Sequence, residues 1–291
     1  MAGLLAGELV NTVLEDTLVA ESVALRGTAV AAARGVADQL RRAFRTQMQV
    51  DFKRDMHDIV TVHDKAAEKS IVARILDEVP DSVIIGEEGG TRGEGRVTWY
   101  IDPIDGTSNF ARGIALWCVS IAAAIDTRVV AGVVYDPVAD NLFSADLTGA
   151  WRNDQPLHAV ASPVEAGATI VSSFPAAIDV KMFGDDALQA HRLLLENFQA
   201  VRNLGSGALN LAHVAAGWAD ATMGFATSPW DVAAGILILH QAGGRYRGYV
   251  QGDPYTPLQH AEDYFAVGRD AQYPTLESVI ETLSRTRRSV D

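Results

Sequence analysis

Apolar positions along the chain follow two regimes. Over residues 22–46 they recur at helical spacing, with Ala29, Ala33, Val36, Leu40 and Phe44 on one face, which predicts a long helix. Arg41, Arg42 and Arg45 gather at its end, where positive charge suits the helix dipole; they read as a solvated helix end. Residues 1–20 are weakly patterned and read as a variable extension. Ile59, Val60 and Val62 predict a short strand. Ile71, Val72, Ile75, Leu76 and Val79 then give residues 65–79 one apolar helical face, ended by Pro80. Asp64 stands before that helix, in the place of an N-cap. Val83, Ile84 and Ile85 predict a strand that runs out into Gly86-Glu87-Glu88-Gly89-Gly90. Residues 97–101 predict another, which meets Asp102-Pro103-Ile104-Asp105-Gly106-Thr107. Pro103 lacks a backbone donor and is predicted to stop the strand, Gly106 to allow a sharp reversal, and a helix to start after it. Residues 117–125 and 129–135 predict a strand pair around Asp126-Thr127-Arg128, and 141–145 and 149–152 extend a meander to a turn at 153–156.

Past about residue 160 strands and helices alternate. Strands are predicted at 169–173, 200–204 and 220–223, and helices at 187–198 and 232–242. Another helix carries Ala208, Leu211, Ala212 and Ala215 on one face after Gly205-Ser206-Gly207. The expectation is an α/β protein: an α+β half over 1–155 with a largely antiparallel sheet, and an α/β half over 156–291, closely packed.

Composition narrows the function. With 48% apolar and 21% charged residues, the 291-residue chain is globular, with ample core. A net charge of -13 argues against nucleic acid as the main ligand, and an acidic protein that binds phosphate esters gains from bound cations. A single cysteine, Cys118, allows no internal disulfide and reads as a small buried residue; the expected location is cytoplasmic. No signal-peptide pattern is apparent near the N-terminus, and the longest apolar run, 114–125, is too short to span a membrane. His57 and His63 lack partners at metal-ligand spacing and read as solvated or locally bonded.

Five carboxylates, Asp64, Glu87, Asp102, Asp105 and Asp231, each fall at a strand end or a helix start. An all-oxygen set without paired histidines or cysteines suits Mg²⁺. Asp231 also stands where an N-cap for its helix is expected, so a metal and a cap compete for its oxygens. Taken singly, Asp-Pro and Asp-Gly are ordinary turn dipeptides.

Four segments in one order change that reading: Asp58-Ile59-Val60-Thr61-Val62-His63-Asp64, Gly86-Glu87-Glu88, the run from Trp99 through Asp102-Pro103-Ile104-Asp105-Gly106-Thr107 to Phe110, and Pro229-Trp230-Asp231-Val232-Ala233-Ala234-Gly235. Together they resemble the inositol monophosphatase family of Mg²⁺-dependent, lithium-sensitive phosphatases over about residues 22–268. The resemblance implies a layered αβαβα sandwich, two or three Mg²⁺ per site and a homodimer. It implies one metal on Glu87, Asp102 and the Ile104 carbonyl, and a second on Asp102, Asp105 and Asp231. Gly106 and Thr107 would bind phosphate with their amides, while Asp64 and Thr107 would position the attacking water beside Glu87. Lys53 matches a family lysine near the site, and Gly205, Ser206 and Gly207 a substrate-lining turn.

Gly224 departs from the pattern. Many inositol-phosphate members carry a glutamate seven residues before the Trp-Asp aspartate, contacting substrate hydroxyls; Gly224 has no side chain to do so. Ser228 and Thr227 are candidates for that contact or simple turn residues. The expected reaction is hydrolysis of a small phosphorylated metabolite: inositol 1-phosphate or another cyclitol or polyol phosphate. Histidinol phosphate, a sugar bisphosphate and adenosine 3′,5′-bisphosphate are alternatives. A family-shaped binding or regulatory protein with little turnover is the rival from another class. Neither nucleic acid nor membrane is an expected partner.

Overall fold

A computed structural model of the chain describes residues 2–47, 50–52 and 59–287. The N-terminal helical pattern becomes α1 (Ala2–Ala43), which starts some twenty residues ahead of the patterned segment. The first proline of the chain is Pro80, so no proline breaks a run rich in Ala and Leu, both good helix formers. A two-stranded ribbon follows, β1 (Val50–Phe52) antiparallel to β2 (Ile59–Thr61), and leads into α2 (Val62–Glu78).

Eight strands make the larger sheet: β3 (Ser82–Gly86), β4 (Gly90–Arg92), β5 (Val97–Asp105), β6 (Cys118–Ile125), β7 (Arg128–Asp136), β8 (Asn141–Asp146), β9 (Gly149–Arg152) and β10 (Gln155–Pro156). Its order is β10-β9-β8-β7-β6-β5-β3-β4, antiparallel except for the β3–β5 pair. Contrary to expectation, Pro103 does not end β5. Asp102 pairs with Ser120 and Asp105 with Cys118, so β5 carries one residue more than β6 between those pairs. Pro103 lies in this bulge, where the ladder makes no demand for its missing donor. Only after Asp105 does the chain turn, through Gly106, into the six-residue helix α3 (Thr107–Arg112).

The second sheet contains β11 (Thr169–Ser172), β12 (Ala200–Asn203), β13 (Ala221–Gly224), β14 (Arg245–Val250), β15 (Asp253–Pro254) and β16 (Asp263–Val267), in the order β12-β11-β13-β16-β14-β15. The three strands expected from the sequence are mutually parallel where they pair, and β14 to β16 add an antiparallel half. The helices among them are α4 (Ala177–Phe183), α5 (Asp185–Asn197), α6 (Gly207–Ala215), α7 (Pro229–Gln241) and α8 (Pro274–Thr286).

Three apolar clusters join these elements into five layers. Leu25, Ala29, Val36 and Leu40 of α1, with Ile71 and Ile75 of α2, cover one face of the larger sheet through Trp99, Ile121 and Val133. Leu211, Val214, Ile238 and Leu239 of α6 and α7 fill the space between the two sheets. Ala187, Leu194, Leu276 and Ile280 of α5 and α8 close the outer face of the second sheet. The fold is thus α/β, an αβαβα sandwich. Its central layer demands close approach: a Cβ on Gly132 of β7 would stand 2.9 Å from the Ala234 carbonyl oxygen of α7.

Candidate active site

The start of α2 sets the first carboxylate. Thr61, not Asp64, is the N-cap; its hydroxyl oxygen accepts from the His63 amide at 3.1 Å. Asp64 is the third helical residue and closes a capping box, its Oδ2 accepting from the Thr61 amide at 2.9 Å and the Thr61 hydroxyl at 2.6 Å. Its other oxygen, Oδ1, accepts from the Thr107 hydroxyl at 3.1 Å. Burial raises the Asp64 pKa against the pull of these donors.

The β5 bulge sets the next two. Asp102 Oδ1 accepts from the Ile104 amide at 2.9 Å, which folds the bulge back on itself. Glu87 is pinned beside it, its amide donating to the Ile101 carbonyl at 3.1 Å. Gly106 then turns the chain with a φ of 91°, where a Cβ would meet the Leu116 carbonyl oxygen at 3.0 Å. The Thr107 hydroxyl also lies 2.9 Å from the Ile104 carbonyl, so one proton serves two acceptors.

The second sheet's helices supply the remainder. Asp105 accepts from the Ala208 amide at 2.8 Å, the Gly207 amide at 3.3 Å and the Ser206 hydroxyl. It therefore holds the start of α6 across the interface between the layers. Burial raises its pKa while these donors oppose the rise. Ser206 is the N-cap of α6. Ser228, not Asp231, is the N-cap of α7, and its amide donates to Asp231 Oδ2 at 2.7 Å. The Ser120 hydroxyl of β6 donates to the Trp230 carbonyl at 3.0 Å and fixes this helix start over the larger sheet.

Glu87, Asp102, Asp105 and Asp231 share one electrostatic neighbourhood. Burial first, then the charges of Glu87, Asp105 and Asp231, hold the Asp102 pKa well above the usual carboxylate range. Among the described residues, however, no group of three or more His, Cys, Asp or Glu stands arranged to hold a metal ion. Asp102, Asp105 and Asp231 direct oxygens at backbone amides, so each has part of its coordinating capacity engaged. The donor chemistry still fits a hard divalent cation: oxygen ligands, mutually repelling, on a rigid bulge and two helix starts.

Lys53 and His57 lie outside the described residues. The His63 ring packs against Phe110, 6.0 Å between centroids, and does not join the carboxylates. Gly205 stands beside Asn109, and Gly224 at the end of β13 faces Tyr264: a Cβ there would be 2.6 Å from Tyr264 Cε1. Cys118, fully buried, has its Sγ 3.7 Å from Asp105 Oδ2.

Two positioning residues escaped the sequence reading. Glu68, 3% exposed, accepts from the Glu88 amide at 2.8 Å and supports the loop that carries Glu87. A carboxylate on the Ala67-Ile71-Ile75 face of α2 was the available signal. Asn109 donates to the carbonyls of Leu116 and Leu204, both at 2.7 Å, and so links α3 to the turn before Gly205.

With this geometry in place, comparison with known proteins identifies the class. The profile of the inositol monophosphatase family matches residues 23–285, and the chain belongs to that family. A relative from Pasteurella multocida, named Nus factor SuhB, is 36% identical over 238 residues, covering 80% of this chain and 88% of its own. The crystal structure of extragenic suppressor protein suhB from Bartonella henselae superposes with a TM-score of 0.78 at 29% identity, covering 90% of this chain and 98% of that one. An inositol monophosphatase from Anabaena gives a TM-score of 0.73 at 29% identity, covering 90% and 94%. The name Nus factor stands at odds with the expectation that nucleic acid plays no part in this protein's partnerships. Among the described residues, no helix is long and apolar enough to cross a membrane.

Proposed function

We propose that the chain is a Mg²⁺-dependent phosphatase of small phosphate monoesters. The observation that carries the reading is the Thr107–Asp64 hydrogen bond beside a repelling set of four carboxylates. Glu87, Asp102, Asp231, the free lone pairs of Asp105 and the Ile104 carbonyl would hold the ions, two or three per site. Bound ions lower the pKa of water and offset charge on a departing alkoxide. Asp64 accepts a proton bond from Thr107, which leaves the hydroxyl oxygen to accept from a water and orient it. The Gly106 and Thr107 amides face the phosphoryl group, and Gly205, Ser206, Gly207, Gly224 and Ser228 border the alcohol. The division near residue 155, a homodimer, lithium sensitivity and a cytoplasmic location belong to the same proposal.

The family match and the inositol monophosphatase structures support hydrolysis. A second reading, a binding or regulatory protein, is favoured by the name Nus factor among relatives. Phosphate release tests the two. The panel is inositol 1-phosphate, glycerol 2-phosphate, fructose 1,6-bisphosphate, histidinol phosphate and adenosine 3′,5′-bisphosphate, each with Mg²⁺, with EDTA, and with Mg²⁺ plus Li⁺. Release that needs Mg²⁺ supports the phosphatase. No release from any ester by protein shown to bind Mg²⁺ rejects it in favour of the second reading.

A further inference from the structure

A cavity of about 120 Å³, bordered by Gly207 and Gly224, adjoins the carboxylate site. Gly207 forms one wall, and its amide is 3.3 Å from Asp105 Oδ1. Tyr264 forms another and feels the charges of both Asp105 and Asp231. The cavity therefore begins where the ester's alcohol would lie, and this inference rests on the phosphatase reading above.

Its lining is mostly apolar and aromatic: Phe174, Met223, Phe225 and Tyr264. Phe174 and Phe225 tilt against each other with centroids 5.2 Å apart, and Tyr264 is stacked on Tyr246 at 4.8 Å, so these walls are firm. Four polar side chains interrupt them: Ser173, Asp179, Asn210 and Thr227. Asn210 of α6 is 1% exposed, and its Oδ1 has no hydrogen-bond partner. Asp179 of α4 is 5% exposed, and its Oδ2 accepts from the Ala176 amide. Both are acceptors. The Thr227 hydroxyl at the same cavity is committed to the Glu262 carbonyl at 3.2 Å.

We propose that this cavity receives the alcohol part of the substrate and selects an alcohol bearing a nitrogen donor, an ammonium or an N–H group, over a polyhydroxylated ring. A nitrogen donor gives the orphaned Asn210 oxygen a partner, and a positively charged one is offset by the Asp179 carboxylate lining the same cavity. Aromatic faces around it favour positive charge. A polyol brings many hydroxyls to a wall that matches few of them, and each one buried without a partner weakens binding. Glutamate cannot substitute at position 224 with the walls as they stand, because the Tyr264 ring fills the space its Cβ would need.

The test uses ω-amino-alkyl phosphates of increasing chain length, each against its nitrogen-free alkyl twin, with Mg²⁺ and with glycerol 2-phosphate as a control ester. At one length the amino ester is expected to show kcat/KM about tenfold above its twin, mainly through KM. Asn210→Leu and Asp179→Asn are each expected to cut that ratio about fivefold. Hydrolysis of the twins with no amine preference at any length overturns this inference alone. So does a preference that survives both variants. No hydrolysis of any ester overturns the phosphatase reading and this inference with it.

Discussion

Thr107 donates to Asp64 across 3.1 Å, joining residues 43 positions apart and two separate elements, the start of α3 and the start of α2. Asp64 is fully buried, and its second oxygen is held by Thr61, so the pair has little freedom to rotate. A hydroxyl fixed on one side by a carboxylate has its lone pairs presented on the other. Thr107→Val keeps the shape and removes the hydroxyl; it is expected to lower kcat about 100-fold with KM nearly unchanged. Thr107→Ser restores the oxygen and should recover most of the rate. Steady-state kinetics on the best ester of the panel decides this, and full activity in Thr107→Val would remove Thr107 from the reaction.

Asp102 is expected to separate activity from stability. Its neighbours Glu87, Asp105 and Asp231 all disfavour its charge, and it is 3% exposed. Asp102→Asn is neutral and nearly isosteric, and its Oδ1 can still accept from the Ile104 amide. Turnover should nearly vanish if, as proposed, Asp102 is a ligand the bound ions share. In EDTA the same variant should melt about 2 °C or more above wild type, because a buried repulsion is relieved. Thermal scans in EDTA and rates in Mg²⁺ check the two signs. At least half of wild-type activity in this variant refutes the placement.

Much of this site was legible in the sequence, and the exceptions have physical causes. Asp102, Asp105 and Gly106 stood out because short-range turn chemistry marks them. Pro103 was misread as a strand end because a bulge is set by the partner strand, and β6 lies fifteen residues further on. The caps Thr61 and Ser228 were displaced onto Asp64 and Asp231, since a capping box uses both residues and spacing alone does not say which leads. Glu68 and Asn109 act on backbone groups distant in sequence, Glu88 and Leu204, and no local pattern announces such bonds. β14 to β16 and α8 complete the second sheet and its outer layer beyond the last helix read from the sequence.

Two groups away from the carboxylates should bend the pH dependence of stability in opposite directions. Burial raises Asp179 from 3.8 to about 6, so the folded state binds the extra proton and stability is lost as pH rises from about 4 to 6. Burial lowers His213, packed between Phe143 and Trp218, from 6.5 to about 4, so stability is lost as pH falls from about 6.5 to 4. Asp179→Asn is expected to gain about 1–2 kcal/mol over wild type at pH 7 and nothing near pH 4. His213→Gln should gain relative stability toward pH 4, by up to about 3 kcal/mol, less whatever packing is lost at every pH. Urea unfolding at pH 4.5, 5.5 and 7 gives both differences; parallel curves for variant and wild type would exclude either assignment.

Gly224 and Tyr264 form one packing unit. A Cβ at 224 would approach Tyr264 Cε1 to 2.6 Å and Thr227 Cγ2 to 3.2 Å, and Tyr264 is 1% exposed and stacked on Tyr246. The ring cannot swing away without breaking that stack. Gly224→Ala is therefore expected to cost about 1–3 kcal/mol by overpacking, a loss of about 2–6 °C in melting temperature. Gly224→Glu should cost at least as much, and should not by itself raise activity toward inositol phosphates. Gly224→Glu combined with Tyr264→Ala vacates the space the longer side chain needs, so the double variant should melt above the sum of the two single losses. Differential scanning calorimetry of the three variants measures the coupling. Strict additivity would show that the ring and the glycine are independent, and that the missing side chain has some other cause.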